Sequence, residues 1–202
     1  MLKRFVKRLL SCLLLAALFV LVVIGGTLGV QGWRLYRATA AQKPIAGLYD
    51  EISSRPGFAS CDQLPQTYID AVISVEDSRF ERHHGIDPAA IVRALWADLR
   101  TRSLAEGGST LTQQLIKNTV FNGGMETSKG SKIERKIQEQ YLALQLTKNV
   151  DRKVILTNYL NTINLGSNTL GVKAAALRYF NKNVSDLTLS ECAVIAGITQ
   201  NP

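Results

Sequence analysis

The sequence predicts a mainly α-helical domain behind a single N-terminal transmembrane helix. Three observations support this fold class. The stretch from Leu9 to Val30 is apolar and uncharged, apolar residues recur at helical spacing from residue 67 onwards, and no useful stretch alternates between apolar and polar as a half-buried strand does. A chain of 202 residues can bury one substantial core, so we expect one folded domain with accessory segments.

The first element is the transmembrane helix. At about 1.5 Å per residue, Leu9 to Val30 spans roughly the 30 Å hydrocarbon core of a bilayer. Basic residues precede this run and no acid appears before Asp50, so the positive-inside rule places the N-terminus in the cytoplasm. We therefore predict a cytoplasmic tail at 1–8, a single-pass cell-membrane anchor at 9–31, and a folded domain on the extracellular or periplasmic side.

A cleaved signal peptide is the alternative interpretation of this run. Ala38-Thr39-Ala40 has the small residues of a cleavage site. However, the run is longer than the apolar core of a usual signal peptide, and Arg34 and Arg37 separate it from that site. Both features favour a retained anchor.

The net charge of +8 is unevenly distributed along the chain. Residues 1–40 contain six Lys and Arg and no acid, leaving 18 of the 24 basic residues against 16 acidic ones, or +2, in the remainder. This balance does not suggest nucleic-acid binding. The extra positive charge beside the bilayer favours contact with anionic lipids instead.

The cysteines do not form a disulfide framework. Cys12 lies in the apolar run, which leaves Cys61 and Cys192 for the outer domain. A disulfide between these two is one interpretation, but Cys192 lies in an apolar helical stretch, which favours a buried free thiol. No spacing of Cys and His is typical of a metal site.

A connector and a folded domain follow the anchor. Residues 38–66 mix Gly, Pro, Ser and charged residues without sustained periodicity, so we assign 32–66 to a juxtamembrane connector and 67–202 to the domain. The chain ends at Pro202 directly after an apolar helix, so we expect the C-terminal end of this domain to be incomplete.

Within the domain, helical periodicity and capping residues define the elements. One helix is predicted at 68–77, and Asp87-Pro88 supplies an N-cap and a proline at the first position of another helix that ends near Arg100. Residues 119–131 are predicted to form a loop. Two apolar stripes and one capping box then predict three further helices. The stripes are Ile133, Ile137, Tyr141 and Leu144, and then Val154, Ile155, Tyr159, Leu160 and Ile163; the capping box spans Thr188 to Glu191.

Three segments of the domain are rich in groups that can carry chemistry. The first is VEDSRFERHHGID at 75–87, which contains four acids and both histidines of the chain. Exposed acids at a helix end and a surface histidine pair would explain it without any function. The density of titratable groups also suits acid–base catalysis.

The second segment is GGSTLTQQLIKN at 107–118. Ser109 or Thr110 can cap the helix, and the free N–H groups there would form a site for a phosphate-like anion. Glutamines precede Lys117 and Asn118 by four positions, so amide and ammonium groups share a face. A plain capped helix with a polar face is the alternative, and the spacing is not that of a Walker loop.

The third segment is ERKIQEQYLALQL at 134–146. It places Arg135 and Lys136 four and three residues before Glu139, so two cations lie beside one carboxylate. An ordinary surface ion pair is the alternative and would contribute little. A sugar diphosphate would use both charges, because the cations bind phosphate while the acid handles a proton or a metal ion.

In order and spacing, these segments together resemble the motifs of glycosyltransferase family 51. This family comprises the peptidoglycan polymerases, which occur as monofunctional enzymes and as the N-terminal domain of class A penicillin-binding proteins. The resemblance covers about residues 67–202 and implies a lysozyme-like core. The matching residues are Glu76, Asp77, Phe80, His84, Gly85, the run 107–118, Arg135, Lys136, Glu139, Lys153, Ile155, Leu156, Tyr159, Leu160, Asn161, Gly171, Ala174, Ala175, Tyr179, Phe180 and the final LTLSECAVIAGITQNP.

The resemblance implies polymerisation of lipid II into glycan strands with release of polyprenyl diphosphate. Glu76 would be the general base for the acceptor sugar hydroxyl, and Glu139 the second carboxylate, which assists at the donor diphosphate. The implied substrate-binding residues are Asp77, Phe80, His84, Ser109, Thr110, Gln114, Lys117, Asn118, Arg135 and Lys136.

The resemblance also implies the ligands and partners of the chain. Glu139 would be the residue to hold a divalent metal, Mg²⁺ or Mn²⁺, and no organic cofactor is expected. The partners are lipid II, the lipid-linked glycan, the cell membrane and other cell-wall synthesis proteins, with no nucleic acid. The 119–131 loop would close over the donor, with nearby apolar residues dipping into the bilayer.

Two other functions stay open from the sequence. A lysozyme-type enzyme that cleaves peptidoglycan would also use carboxylates on a mainly helical fold, but it would need no phosphate-binding cations. An inactive membrane-anchored scaffold is the second alternative, and the presence of both Glu76 and Glu139 argues against it.

Overall fold

The structure is a computed structural model, and it describes residues 2–42, 44–101, 107–124 and 129–200. Its α-helices, in chain order, are α1 (Leu2–Gln42), α2 (Leu48–Ser53), α3 (Gln66–Glu76), α4 (Pro88–Thr101), α5 (Leu111–Thr119), α6 (Lys129–Asn149), α7 (Arg152–Thr162), α8 (Val172–Phe180) and α9 (Leu189–Ile198). Short 3₁₀ turns lie at Ile45–Gly47, Cys61–Gln63 and Val184–Asp186.

The predicted mainly α class is confirmed. None of the described residues belongs to a strand, and the β-pairing there is an isolated antiparallel bridge between Asn164 and Leu170. The predicted caps are also present. Asp87 Oδ1 accepts hydrogen bonds from the backbone N–H groups of Ala89 and Ala90 at 3.0 and 3.1 Å, at the start of α4. Thr188 and Glu191 form the predicted capping box of α9.

The N-terminal helix α1 is longer than the apolar run that predicted it. Within α1, Lys7–Gln42 is long and apolar enough to cross a membrane, and its most apolar part is exposed along its whole length. The helix continues without a break through the first part of the predicted connector. It does so because residues 31–42 contain no proline and face a partner helix that buries one side of them.

That partner is α6, and glycines make the contact close. A Cβ on Gly32 would overlap the Cγ2 methyl of Ile137, so only a residue without a side chain fits there. Tyr141 donates a hydrogen bond from its hydroxyl to the carbonyl of Gly29 at 3.2 Å, and its ring stacks on Tyr36 with centroids 5.7 Å apart. The anchor is therefore packed onto the domain and is not merely tethered to it.

The rest of the predicted connector also belongs to the packed domain. Leu48, Ile52, Ala59 and Leu64 are buried in the main core, and α2 packs against α7. Asn161 bonds both backbone groups of Ala59, accepting from its N–H at 2.7 Å and donating to its carbonyl at 2.8 Å. The domain thus begins well before the predicted boundary at residue 67.

The core positions the helices that carry the chemical segments. Helix α3 packs against α9, and α5 packs against both α6 and α7. Tyr68, Leu111, Leu115, Leu142 and Tyr159 are each fully buried at these contacts. Consequently the C-terminal end of α3, the polar face of α5 and the charged face of α6 are held together around one cleft.

Two smaller predictions have clear outcomes. All three cysteines are free, and Cys192 is fully buried, which confirms the free-thiol interpretation. The predicted loop at 119–131 is shorter at both ends, because α5 includes Thr119 and α6 begins at Lys129; residues 125–128 lie outside the described residues.

Candidate active site

Glu76 is the last residue of α3, and three neutral donors hold its carboxylate. Gln114 Nε2 donates to Oε2 at 2.6 Å. Gln200 Nε2 donates to Oε1 at 2.7 Å, and the Thr199 hydroxyl donates to the same oxygen. The side chain is partly buried, so it combines a fixed orientation with access from the cleft.

A hydrogen bond from Tyr159 fixes the orientation of the Gln114 side-chain amide. Tyr159 donates its hydroxyl hydrogen to Gln114 Oε1 at 3.3 Å, which leaves the amide nitrogen facing Glu76. Tyr159 is itself fully buried, and burial, assisted by the charge of Glu76, raises the pKa of its phenol far above the ordinary value. It therefore stays a protonated donor at neutral pH.

Asp77 faces inward and joins α3 to the start of α5. Its carboxylate lies 2.9 Å from His83 Nε2 and accepts from the backbone N–H of Leu111 at 3.0 Å. The Thr110 hydroxyl caps α5 by accepting from the N–H of Gln113 at 3.2 Å, and it donates to the Gly85 carbonyl at 2.6 Å. Asp77 and Thr110, both predicted to bind substrate, belong to this buried network and also line a cavity beside Glu76.

The same network uses N–H groups at the N-terminus of α5 that were predicted to bind an anion. The N–H of Leu111 bonds Asp77 and that of Gln113 bonds Thr110, while Gln114 N–H bonds the Thr110 carbonyl at 3.0 Å. A negatively charged side chain thus already lies at the positive end of the helix. A phosphate that bound the N–H groups of Leu111 and Gln113 would have to displace the side chains of Asp77 and Thr110.

The second carboxylate, Glu139, lies on α6 between two cations. Its side chain is fully buried, and its oxygens pair with Arg135 and, at 2.9 Å, with Lys136 Nζ. Lys136 also donates to the Ser109 hydroxyl at 2.7 Å, which links α6 to the segment before α5. Lys136 Nζ is close to Glu139 Oε2, but the geometry does not make a hydrogen bond. The two groups therefore interact as an ion pair.

This arrangement does not fit a resident divalent metal at Glu139. Both carboxylate oxygens face cations, and a hard cation needs several oxygen ligands that carry net negative charge. The described residues contain no group of three or more His, Cys, Asp and Glu side chains that could hold a metal ion. Glu139 instead neutralises and orients the two cations beside it.

Lys117 adds a third cation to the same region. Burial, followed by the nearby charge of Lys136, lowers the pKa of Lys117 below its ordinary value, whereas Glu139 and Glu76 act in the opposite direction. The side chain is half-buried, so an arriving anion would meet a poorly hydrated ammonium group. Such a group binds phosphate more strongly than a fully solvated lysine does.

One cleft gathers seven of the predicted site residues. A cavity of about 290 Å³ is lined by Glu76, Ser109, Gln114, Lys117 and Lys136. A second cavity of about 210 Å³ shares Glu76 and Ser109, adds Asp77 and Thr110, and extends the cleft. The base candidate and the cations therefore face the same space.

Other predicted residues lie elsewhere. Phe80 is only 1% exposed and packs in the core, so it does not reach the cleft. His84 is exposed and lines a separate cavity together with Arg79 and Arg82. Asn118 is half-buried on α5, and it lines neither cavity beside Glu76.

Three residues of the cleft were missed by sequence reasoning. Arg93 of α4 lines both cavities beside Glu76, and Thr199 and Gln200 donate to its carboxylate. Arg93 lies on an exposed helix face, where an arginine carries no distinctive signal. Thr199 and Gln200 follow the apolar stretch of α9, and only the packing of α9 against α3 brings them near Glu76.

The fold and this cleft define an anchored domain of the glycosyltransferase class. The chain belongs to the transglycosylase family, since the family model described as Transglycosylase matches residues 43–202. This finding confirms the resemblance to glycosyltransferase family 51 and the lysozyme-like fold class. It also agrees with the structure in starting the domain before residue 67.

Several curated proteins are similar to the chain over most of its length. Penicillin-binding protein 1A of Clostridium botulinum (strain Langeland) is 46% identical over 143 residues, which is 69% of this chain and 17% of that protein. The protein of the same name from Clostridium novyi is 46% identical over 145 residues, covering 70% and 17%. That of Aquifex aeolicus is 38% identical over 174 residues, covering 86% and 23%. The chain thus spans about a fifth of the length of the curated relatives it matches.

Proposed function

We propose that the chain is a peptidoglycan glycosyltransferase that polymerises lipid II into glycan strands and releases polyprenyl diphosphate. One observation carries the proposal: the oriented carboxylate of Glu76 and the ammonium groups of Lys117 and Lys136 line a single cleft. A sugar hydroxyl that attacks a glycosyl diphosphate needs a base on one side and fixed positive charge on the other. The cleft supplies both.

In the proposed reaction, Glu76 removes the proton from the 4-hydroxyl of the acceptor sugar. The freed oxygen attacks the anomeric carbon of the donor as the bond between that carbon and the diphosphate oxygen breaks. The bonding electron pair leaves with the diphosphate, so negative charge grows there. Lys117, Arg135 and Lys136 stabilise this charge because the fold gathers them beside the cleft before the reaction begins.

Glu139 holds this cationic cluster in place. It is fully buried between Arg135 and Lys136, so it prevents the two cations from repelling each other in the absence of substrate. Lys136 is 44% exposed in its side chain and also bonds Ser109, which leaves it able to turn toward a bound phosphate. Glu139 assists the donor diphosphate through these cations and not by direct contact with the phosphates, which it would repel.

The membrane would supply the substrate. The apolar helix α1 anchors the chain, and the proposed orientation has the N-terminus in the cytoplasm and the cleft on the opposite side. Helix α4 adds a stripe of large apolar side chains at helical spacing, each at least 58% exposed, which supports contact with the bilayer. The stripe consists of Val92, Leu95, Trp96 and Leu99.

The test is polymerisation of fluorescent lipid II by the full chain in detergent. Glu76→Gln keeps the size and the acceptor oxygen but cannot take a proton, and we expect a loss of kcat of about 10²- to 10⁴-fold. Glu81→Gln is the matched control, because this exposed carboxylate lies in the same segment and lines a different cavity. It should polymerise as the wild type does.

Each outcome has a definite meaning. Glycan strands from the wild type and from Glu81→Gln, but not from Glu76→Gln, would support the proposal. A folded wild-type chain that binds lipid II without polymerising it would favour the scaffold. Release of sugar from preformed glycan strands would favour the lysozyme-type alternative.

A further inference from the structure

We propose that Thr199 and Gln200 are positioning residues that fill Oε1 of Glu76 and thereby make Oε2 the atom that accepts the proton. The inference rests on the proposed function, since it concerns the base of that reaction. The inference adds the two residues that follow α9 to those that act on the base.

The donors around Glu76 are distributed unequally. A carboxylate has about four acceptor positions, two on each oxygen. Oε1 accepts from both the Thr199 hydroxyl and Gln200 Nε2, so its two positions are filled. Among the residues that the structure describes, Gln114 alone donates to Oε2, which leaves one of its positions open. Within this part of the chain, an incoming hydroxyl therefore finds its free lone pair on Oε2.

Both oxygens of Glu76 border the cleft in which the acceptor sugar would bind. Gln114 on the Oε2 side lines it, and so do Thr199 and Gln200 on the Oε1 side. The two oxygens differ because both positions of Oε1 are already taken. The amide of Gln114 cannot turn away because Tyr159 fixes its other end. The carboxylate is thus held from both sides, and its free lone pair keeps one direction.

The Thr199 hydroxyl has two acceptors within reach, so it can respond when the Glu76 carboxylate takes up a proton. It lies within hydrogen-bond distance of the Ala196 carbonyl, at 2.7 Å, as well as of Glu76. Since a hydroxyl has one hydrogen, it can serve the ionised carboxylate before proton transfer and the Ala196 carbonyl afterwards. The protonated form of Glu76 therefore loses a donor without leaving a buried hydroxyl unsatisfied.

The test is the pH dependence of lipid II polymerisation by the full chain in detergent. Thr199→Val and Gln200→Leu each remove a donor to the ionised carboxylate, so the acidic limb of the kcat profile should move up by about one pH unit. Below the limb this shift equals roughly a tenfold loss of kcat, with KM nearly unchanged. Thr199→Ser should restore the wild-type profile.

Two further variants separate positioning from general damage to α9. Gln200→Glu replaces a donor with a like charge and should move the acidic limb further than Gln200→Leu does. Thr188→Val removes the cap of the same helix at its other end, far along the chain from Glu76. It should lower the melting temperature and leave the acidic limb where it is.

A second measurement keeps the inference independent of turnover. The ¹³C resonance of the Glu76 carboxyl carbon can be titrated in the detergent-solubilised chain, with Glu76→Gln identifying the signal. If Thr199→Val and Gln200→Leu leave both this titration and the acidic limb unchanged, the inference is wrong even though the proposed function stands. If the wild type does not polymerise lipid II, the proposed function fails and the titration alone decides whether the two residues act on Glu76.

Discussion

The contact between the anchor and the catalytic domain can be tested at Gly32. A methyl group added there in Gly32→Ala would overlap Ile137 Cγ2 and would lie 3.1 Å from Ile137 Cβ and 3.6 Å from Tyr141 Cε2. Ile137 cannot rotate away easily, because it is β-branched and helical. The two helices must therefore separate, and the contacts on either side of Gly32 weaken with them.

The size of the effect follows from two opposing terms. Forcing a methyl group into a packed contact costs about 1–3 kcal/mol. Replacing glycine by alanine within a helix returns about 0.5–1 kcal/mol. The net loss of stability should therefore be between about 0 and 2.5 kcal/mol, and about 1 kcal/mol at the midpoints of the two ranges. Ile137→Ala removes the overlapping methyl, so the double variant should lose less than the sum of the two single changes.

The assay is thermal unfolding of the full chain in detergent, followed by tryptophan fluorescence, since Trp33 is adjacent to the changed residue. Gly26→Ala is the matched control, because a Cβ at Gly26 meets nothing within 4 Å. It should be as stable as the wild type or slightly more so. If Gly32→Ala is as stable as Gly26→Ala, the close packing of α1 on α6 does not exist in solution.

Two more predictions concern the motif around the cleft and the last helix. Gly85→Ala should unfold at a markedly lower temperature than the wild type, because Gly85 has φ +90° and a Cβ there would overlap the Ala143 carbonyl oxygen and lie 2.7 Å from its carbon. At the cap of α9, Lys182, which donates to the carboxylate, lowers the pKa of Glu191 to about 2. Because the pKa of Glu191 is lower in the folded chain than its ordinary value of 4.5, the ionised carboxylate stabilises the fold above about pH 4.5. This contribution is lost as the pH falls toward 2. The melting temperature of Lys182→Met should therefore fall short of the wild-type value at pH 7, and the gap should narrow between about pH 4.5 and pH 2; a gap that is constant with pH would contradict this assignment.

Local signals in the sequence predicted local structure well. The caps at Asp87 and Thr188 are confirmed because a cap depends on residues within one turn of the helix start. The apolar run identified α1 for the same reason, although its C-terminal extension depends on packing against α6. Periodicity therefore located most of the helices, while their exact ends depended on partners.

The structure differs from the sequence predictions where segments that are distant in the chain come into contact. Leu48 and Ile52 belong to the core, but their short helix is too brief to display a periodic pattern. The first N–H groups of α5 were predicted to be free for an anion, but the carboxylate of Asp77, 34 residues earlier in the chain, accepts a hydrogen bond from the first of them. Thr199 lies 123 residues after Glu76 and still bonds it. Only the tertiary packing brings such pairs together.

If α1 spans the bilayer as proposed, its unbroken course fixes the height of the cleft above the membrane. Its hydrogen bonds to α6 run from Gly29, whose carbonyl accepts from Tyr141 at 3.2 Å, to Thr39, which bonds Gln138 at 2.8 Å. At about 1.5 Å per residue, these positions extend from roughly 2 Å before to 14 Å beyond the end of the apolar run at Val30. The lipid headgroup layer occupies about the first 5–8 Å beyond Val30. In the proposed orientation, the cations of α6 would lie near the level of the lipid phosphates, where the proposed lipid-linked diphosphate could react while its chain stays in the bilayer.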